Sequence, residues 1–198
     1  MRILVANEHP QELEALARAA EGVGDEVVAR EVRVEAVAQA AKDETVDVAL
    51  VGLPAGESAE HALALIAEIV GGGVCPVVVV TRNSDPDVLA EAAVLGVYAH
   101  TADLDPYSLR SAIDVASKRF GDHADIKAAL EKRTLVERAK GILMERYSID
   151  EQAAFEMLRR EARNENLRLI VAAGLILQGH RLLPSDPGRR RRGADSRG

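Results

Sequence analysis

Short apolar runs alternate with stretches of helical spacing over the first 110 residues. The runs are rich in β-branched residues and occupy positions 3–6, 27–29, 48–51, 77–80 and 97–99. Between them apolar residues recur every three or four positions, which predicts helices over residues 11–21, 34–42, 59–70 and 87–95. Strands that alternate with helices form parallel sheets through right-handed crossovers. The pattern predicts a five-stranded, doubly wound (βα)5 α/β domain, with the four-valine strand at 77–80 buried on both faces.

The pattern changes after Pro106, where helical spacing replaces the alternation. Apolar residues at helical spacing mark a fifth helix, which Gly121 and Asp122 interrupt or bend before it continues to about Tyr147. Two more helices are predicted over residues 150–163 and 167–182. Ser148 and Glu151 have the spacing of a capping box at the start of the first of these. The sequence therefore predicts a long helix followed by a three-helix, all-α domain.

Charge is distributed unevenly along the chain, whose net charge is −7. Residues 1–133 hold 12 Lys and Arg against 23 Asp and Glu; residues 134–183 hold 8 against 7, and residues 184–198 hold 5 against 2. We place the boundaries at a first domain over 1–120, a helical linker over 121–133, a helical domain over 134–183 and a disordered basic tail over 184–198. The two domains either have different partners or differ only in surface charge.

Composition excludes several classes of protein. An apolar content of 47% excludes a disordered chain, and a lone Cys75 excludes an intramolecular disulfide or a cysteine zinc cluster. Aromatic residues make up only 3%, which disfavours platforms that stack bases on aromatic rings. No apolar run reaches 18 residues and no signal-peptide pattern opens the chain, so we expect a cytoplasmic protein without membrane contact.

Catalytic chemistry has no visible basis in the sequence. The five histidines show no metal-ligand spacing, and no nucleophile stands beside a base. We therefore expect neither an enzyme nor a cofactor or metal site.

The five strand–helix units resemble the receiver domain of response regulators over about residues 1–120. That resemblance implies an acidic pair after the first strand, an Asp ending the third, a Ser or Thr after the fourth and a Lys after the fifth. The matching positions hold Asn7 and Glu8, Gly52, Thr81, and Asp103.

Glycine has no carboxylate to phosphorylate, and Asp103 cannot supply the positive charge of a lysine. Asp47 lies about 16 Å away along the strand, and Glu8 alone is a weak Mg²⁺ anchor. We expect a degenerate phosphorylation pocket in a pseudo-receiver that cannot be phosphorylated. Such a domain would serve dimerisation, docking or signal input, or bind a different ligand.

Three motifs in the helical region follow one another in order. They are Ala-Lys-Gly-Ile-Leu-Met at 139–144, Ala-Phe-x-x-Leu-Arg at 154–159 and Asn-x-x-Leu at 164–167. Together they resemble the ANTAR module of bacterial response regulators. The resemblance implies an RNA-binding transcription antitermination regulator that binds paired hairpins in the leader of a nascent transcript, so that a terminator cannot form.

Helical geometry places cations on one flank of the same region. Phe155, Leu158 and Ala162 form a predicted buried stripe, and basic and polar residues follow beside it. Cations close to a nucleic-acid backbone supply much of its binding affinity. The candidate RNA-binding residues are Arg138, Ala139, Lys140, Gln152, Arg159, Arg160, Arg163 and Arg168. The plainer interpretation is a solvated face with i, i+4 salt bridges, such as Glu156 with Arg160.

Two other functions stay open from the sequence. The three helices would also suit a DNA-binding transcription factor of the helix-turn-helix type, although the connection at 164–166 lacks a turn glycine. They would equally suit a protein-interaction regulator that uses the helices only for dimerisation. We expect a homodimer through the helix over 106–147 and an upstream signalling protein as a further partner. Arg189 to Arg192 either add phosphate contacts or solubilise the tail.

Overall fold

The computed structural model describes residues 1–54, 59–81 and 86–181. The predicted basic tail at 184–198 and the last two residues of the predicted helical domain lie outside this part. The chain divides into two compact units, residues 1–124 and residues 125–198. Among the residues described, no helix combines the length and apolar character needed to cross a bilayer.

The first unit is a parallel sheet with helices on both faces, as the sequence predicts. Its strands are β1 (Arg2–Ala6), β2 (Glu26–Glu31), β3 (Val48–Leu53), β4 (Val77–Thr81) and β5 (Ala99–Thr101), in the order β2-β1-β3-β4-β5. The helices between them are α1 (Pro10–Gly22), α2 (Val34–Asp43), α3 (Glu60–Gly72) and α4 (Pro86–Leu95). All strand pairs are parallel, and β4 is buried along its whole length.

Alternation along the central strand β3 divides the interior into two layers. Val48 and Leu50 face the side covered by α1 and by the start of the next helix, α5 (Pro106–Tyr147). Ala49 and Val51 face the side covered by α2, α3 and α4. Successive side chains of a strand point to opposite faces, so a strand buried on both sides has no polar alternation.

The last strand begins two residues later than its apolar run predicts. Tyr98 precedes β5 and packs against α5: its ring lies edge-on to Phe120 at 5.4 Å between centroids. The Tyr98 hydroxyl is 3.0 Å from His123 Nδ1, and Arg119 Nη1 donates to the Tyr98 carbonyl at 3.0 Å. Tyr98 therefore helps to hold α5 in place instead of extending the sheet, whereas Val97 packs in the layer covered by α2, α3 and α4.

Helix α5 runs without a break for 42 residues, through Gly121. Asp105 caps its start, because its Oδ2 accepts from the backbone N–H groups of Tyr107 and Ser108, both at 3.1 Å. Leu109 and Ile113 are buried in the first unit. A glycine inside a helix costs only about 1 kcal/mol relative to alanine, which is too little to end a helix of this length.

The second unit packs the later part of α5 against α6 (Glu151–Asn164) and α7 (Leu169–Arg181). Its buried core consists mostly of alanine: Ala139, Leu143, Ala154, Leu158, Ala162, Ala172 and Ala173. Small side chains allow the helix axes to approach closely.

The predicted capping box at the start of α6 is wrong. Asp150 is the N-cap, and its Oδ1 accepts from the N–H of Ala153 at 2.8 Å. Ser148 lies two residues earlier with a φ of +51°, in the left-handed region, where it ends the turn from α5. Asp is as good an N-cap as Ser, so the helix begins at the residue whose backbone is already extended.

Candidate nucleic-acid interface and altered receiver pocket

The carboxyl ends of β1 and β3 bring Asn7 and Gly52 into direct contact. A Cβ built at Gly52 would overlap Asn7 Nδ2 and would lie 3.1 Å from Leu16 Cδ1. Asn7 is buried, its Oδ1 accepts from the N–H of His9 at 2.7 Å, and its Nδ2 donates to Glu12 Oε2 at 3.1 Å. The buried amide is therefore fixed against the bare Cα of residue 52.

A cleft of about 320 Å³ opens beside this pair. It combines a polar edge with an apolar wall, and its lining is Asn7, Gln11, Glu12, Ala15, Leu16, Gly52, Leu53, Val80 and Leu104. Within the described part of the chain, no group of three or more carboxylate, histidine or cysteine side chains is placed to hold a metal ion.

The other predicted pocket residues are in different surroundings. Thr81 is buried at the end of β4. Glu8 Oε1 lies 3.8 Å from His9 Nδ1. Asp103 is exposed, and its Oδ1 accepts from the N–H of Asp105 at 3.1 Å, so it shapes the turn that leads into α5.

Lys140 points into the helical unit, where two carboxylates bind it. Its Nζ lies 2.7 Å from Glu137 Oε2 and 2.6 Å from Glu151 Oε1, and only 8% of the side chain is exposed. The ammonium is also 6.0 Å from the centre of the Phe155 ring. The hydrogen bond to Glu137 raises the pKa of Lys140 most, and the hydrogen bond to Glu151 adds to this shift. In return, the hydrogen bond from Lys140 lowers the pKa of Glu151. Lys140 thus joins α5 to the first turn of α6, and its charge is balanced within the protein.

Ala139 is also a core residue of the helical unit. It is fully buried in the alanine core between the helices, so its methyl group is not available to a ligand. Ala139 and Lys140 therefore stabilise the helical unit from within.

The remaining candidate cations lie on the surface. Arg138, Arg160, Arg163 and Arg168 are exposed, and among the described residues none of them has an ion pair. Gln152 is exposed near the start of α6. These side chains can give their charge or hydrogen bonds to an external partner.

Arg159 differs from this group because it has two neighbours on its own helix. Its Nη1 lies 3.3 Å from Glu156 Oε1, and its Cζ lies 5.9 Å from the centre of the Phe155 ring. The expected ion pair of Glu156 with Arg160 is not formed, because Glu156 pairs with Arg159 instead. Arg160 is left unpaired as a result.

Two cations that the sequence analysis assigned to the linker belong to the helical unit. Lys132 and Arg133 line a groove of about 410 Å³ together with Arg168 from the start of α7. The other lining residues are Val136, Glu137, Leu169 and Ile170; we call this the α5–α7 groove. The α5 side of this groove could have been predicted from the sequence, because residues 133, 136, 137 and 140 recur at helical spacing and therefore lie on one face of the helix.

Comparison with known proteins identifies the second unit. Residues 124–177 match the sequence model of the ANTAR domain family. The transcriptional regulatory protein PdtaR of Mycobacterium tuberculosis (strain CDC 1551 / Oshkosh) is 31% identical over 122 residues, which are 57% of this chain and 58% of PdtaR. The nitrate regulatory protein of Klebsiella oxytoca is 39% identical over 57 residues, 29% of this chain and 14% of that protein. The matched regions thus span less than two thirds of either relative.

Solved structures identify the fold of the first unit. The signal receiver domain of a modulated diguanylate cyclase from Desulfovibrio desulfuricans G20 superposes with a TM-score of 0.52 at 18% identity, covering 62% of this chain and 97% of that domain. A pilus assembly-related protein from Burkholderia pseudomallei K96243 gives 0.50 at 24% identity, with coverage of 60% and 90%. Residues 124–177 are therefore an ANTAR domain, and the first unit of the chain has the fold of a receiver domain.

Proposed function

We propose that this protein is an RNA-binding antitermination regulator whose ANTAR domain binds hairpins in the leader of nascent transcripts. The observation that carries the proposal is the set of exposed arginines without an ion pair in the described residues: Arg138, Arg160, Arg163 and Arg168. All four lie within the ANTAR-matched segment. Unpaired cations favour a polyanionic partner, because binding releases the counterions condensed on its backbone.

The relatives support a role in regulation. Both PdtaR and the nitrate regulatory protein are named as regulators, and PdtaR as a transcriptional one. The matched regions cover 58% of PdtaR and 14% of the nitrate regulatory protein, so the activity of the whole chain belongs to this proposal. The motifs at 139–144, 154–159 and 164–167 add the expectation of a hairpin RNA.

Binding of the full chain to a labelled RNA hairpin tests the proposal, with a DNA duplex of the same stem sequence as competitor. We expect the hairpin to bind more tightly than the duplex, with an affinity that falls steeply from 50 to 200 mM salt, as counterion release requires. Arg160→Gln should weaken hairpin binding about tenfold, the loss expected when one charged hydrogen bond to a phosphate is removed.

The matched control is Arg18→Gln, because Arg18 is an exposed arginine on α1 of the receiver unit. It removes the same charge, and we expect unchanged binding. Tighter binding to the DNA duplex would favour a DNA-binding factor instead. A folded protein that binds neither nucleic acid would leave a protein-interaction regulator.

For the receiver unit we propose signal input or dimerisation without phosphorylation. Gly52 offers no carboxylate, and the Asn7 amide takes the adjoining space. Asp103 offers no positive charge at the position where the family has lysine. These three positions together support a receiver that acts through binding alone.

A homodimer is the partner that α5 favours. Ile126 and Leu130 lie one turn apart on this helix and are 67% and 63% exposed. Residues four positions apart lie on the same face, so the two side chains form one apolar patch. We propose that a second copy of the chain covers this patch.

A further inference from the structure

The cleft beside Asn7 and Gly52 has an apolar wall and a polar edge, and we call it the Asn7–Gly52 cleft. Its volume of about 320 Å³ lies at the lower end of the range of about 300–1,000 Å³ that small-ligand pockets usually have. The polar edge consists of Asn7, Gln11 and Glu12. Apolar side chains form the wall: Ala15, Leu16, Leu53, Val80 and Leu104. These two parts suit a small molecule that has an apolar body and one polar group.

The charge of the lining favours a cation over a phosphate. Glu12 is the only charged residue among the described residues that line the cleft, and no described cation forms an ion pair with it. Glu12 lies in the first turn of α1, where its charge offsets the partial positive charge of the helix end. The carboxylates of Glu8 and Asp103 follow β1 and β5 at the same edge of the sheet. An anion in the cleft would meet repulsion from Glu12 without a compensating cation in the described lining.

A metal ion would use only a small part of this lining. Mg²⁺ demands nearly octahedral coordination by oxygen atoms. Within the described ranges, no three acidic, histidine or cysteine side chains are grouped to hold a metal ion. The wall offers no oxygen from its side chains and would be left uncovered. An organic cation, in contrast, can use the wall and the edge together.

The ammonium group of a primary amine fits the polar edge, because it has three N–H donors. Glu12 Oε2 accepts from Asn7 Nδ2, and Glu12 Oε1 has no hydrogen bond in the described part of the chain. Asn7 Oδ1 accepts one hydrogen bond, from the N–H of His9, and has a second lone pair. The side-chain oxygen of Gln11 likewise has no partner among the described residues. The edge therefore has as many acceptors as the ammonium group has donors.

We propose that the Asn7–Gly52 cleft binds a small primary amine, with its ammonium group on Glu12 and its apolar body on the wall. This inference rests on the signal input proposed for the receiver unit and names the chemical class of that signal. Leu104 in the wall directly precedes Asp105, the residue that caps α5. An amine in the cleft therefore contacts the turn from which α5 begins.

Four small probes test the proposal in a titration of the full chain, followed by amide chemical shifts. Phenethylamine has both an ammonium group and a ring. Ethylamine lacks the ring, 2-phenylethanol lacks the charge, and phenylacetate has the opposite charge. We expect phenethylamine to bind at least about tenfold more tightly than ethylamine or 2-phenylethanol, because each of these gives up one of the two interactions. Phenylacetate should not bind.

A matched pair of variants on α1 tests the role of the carboxylate. Glu12→Gln removes the charge of the cleft and keeps an oxygen that can accept from Asn7 Nδ2, whereas Glu14→Gln removes the same charge at an exposed position outside the lining. Only Glu12→Gln should weaken phenethylamine binding, by about tenfold. The affinity for 2-phenylethanol should stay the same in both variants, because this probe has no charge.

A second pair tests the wall. Ala15→Leu fills part of the cleft, and Ala90→Leu adds the same side chain at an exposed position of α4. Only Ala15→Leu should weaken the binding of phenethylamine and 2-phenylethanol alike. Circular dichroism shows whether each variant is folded, and Glu12→Gln decides the matter if Ala15→Leu is not.

The outcomes separate this inference from the proposal for the receiver unit. If no probe binds while acetyl phosphate leaves the mass of the chain unchanged, the amine site is overturned and a receiver without phosphorylation remains. If Mg²⁺ displaces phenethylamine and ethylamine binds as tightly as phenethylamine, the cleft is a site for inorganic cations and the inference is wrong. A phosphate on the receiver unit would overturn both.

Discussion

The side chain of Asn7 takes the space that a side chain at Gly52 would need. Two hydrogen bonds, from the N–H of His9 and to Glu12 Oε2, hold the buried amide there. A Cβ at residue 52 could be accepted only if the amide moved and gave up these bonds. Residues 7 and 52 are therefore a matched pair at the carboxyl edge of the sheet.

This pairing predicts that Gly52→Ala destabilises the receiver unit. Over-packing of a close-packed site costs about 1–3 kcal/mol, which urea unfolding followed by circular dichroism can measure. Asn7→Ala should relieve part of the overlap, so the double variant should cost less than the sum of the single ones. Strict additivity would show that the two residues do not compete for space.

The control is Gly121→Ala in α5, where an added Cβ meets nothing within 4 Å. Alanine is the better helix former there, so we expect a stabilisation of up to about 1 kcal/mol. The two glycine replacements should thus have opposite signs.

The altered pocket also predicts a chemical result. Incubation of the full chain with acetyl phosphate and Mg²⁺ should leave its mass unchanged, because neither Gly52 nor Asp103 can play the part of the family's aspartate and lysine. Intact mass spectrometry under neutral conditions makes the measurement. An acid-labile phosphate on residues 1–124 would contradict the proposal for this unit.

The contacts of Lys140 predict a pH-dependent stability of the helical unit. The pKa of Glu151 is lowered, so its contribution is present above the ordinary carboxyl range and is lost as the pH falls below about 4. The pKa of Lys140 is raised, so its contribution is lost only as the pH rises above the ordinary lysine value. The pair therefore stabilises the unit at neutral pH.

Lys140→Met tests this account through thermal unfolding at pH 3, 5 and 7. The melting temperature should fall relative to wild type at pH 7, and the difference should shrink towards pH 3, because the stabilisation from Glu151 is lost as the pH falls through its lowered pKa. Lys127→Met, at an exposed lysine of the same helix, should show no such pH dependence. A constant difference at all three pH values would show that Lys140 acts through packing alone.

The exposed apolar patch on α5 predicts self-association. Replacing Ile126 and Leu130 together by Ser should convert a dimer to a monomer at micromolar concentration in sedimentation experiments, because the change removes the apolar surface that drives association. Val94→Ser changes an apolar residue of α4 that is 88% exposed, and should leave the mass unchanged. A wild-type chain that sediments only as a monomer would contradict the dimer.

Cys75 predicts a thiol that reacts only when the receiver unit opens. Burial raises the pKa of the Cys75 thiol to about 11, and the charge of Asp47 adds to the shift. Two pKa units lower the thiolate fraction about a hundredfold at pH 8. The rate of reaction with Ellman's reagent should therefore be at least about a hundredfold lower in buffer than in urea. Equal rates under the two conditions would contradict the burial of Cys75.

The sheet could be predicted from the sequence because each strand carries its own signal. Runs such as the valines of β4 indicate a buried strand without reference to the rest of the chain. The start of β5 could not be placed, because Tyr98 is held by Phe120 and His123 on α5. Contacts with a distant helix decide whether such a residue extends a strand or leaves it.

For the candidate site, too, features set within one helix could be predicted from the sequence, and features set by contacts between helices could not. The exposure of Arg160 and Arg163 follows from helical spacing within α6 alone. The inward position of Lys140 depends on Glu151, eleven residues later on another helix. The contribution of Lys132 and Arg133 to a groove depends on where α7 begins. Sequence spacing within one helix cannot show which neighbour a long cationic side chain will meet.

The predominance of alanine in the interior of the ANTAR domain has a calorimetric consequence. Alanine buries little apolar area and has no side-chain rotamers to lose, so unfolding this unit should absorb little heat and change the heat capacity only slightly. The receiver unit encloses many leucines, isoleucines and valines. A differential scanning trace of the whole chain should accordingly split into a broad, shallow endotherm and a sharper one at higher temperature.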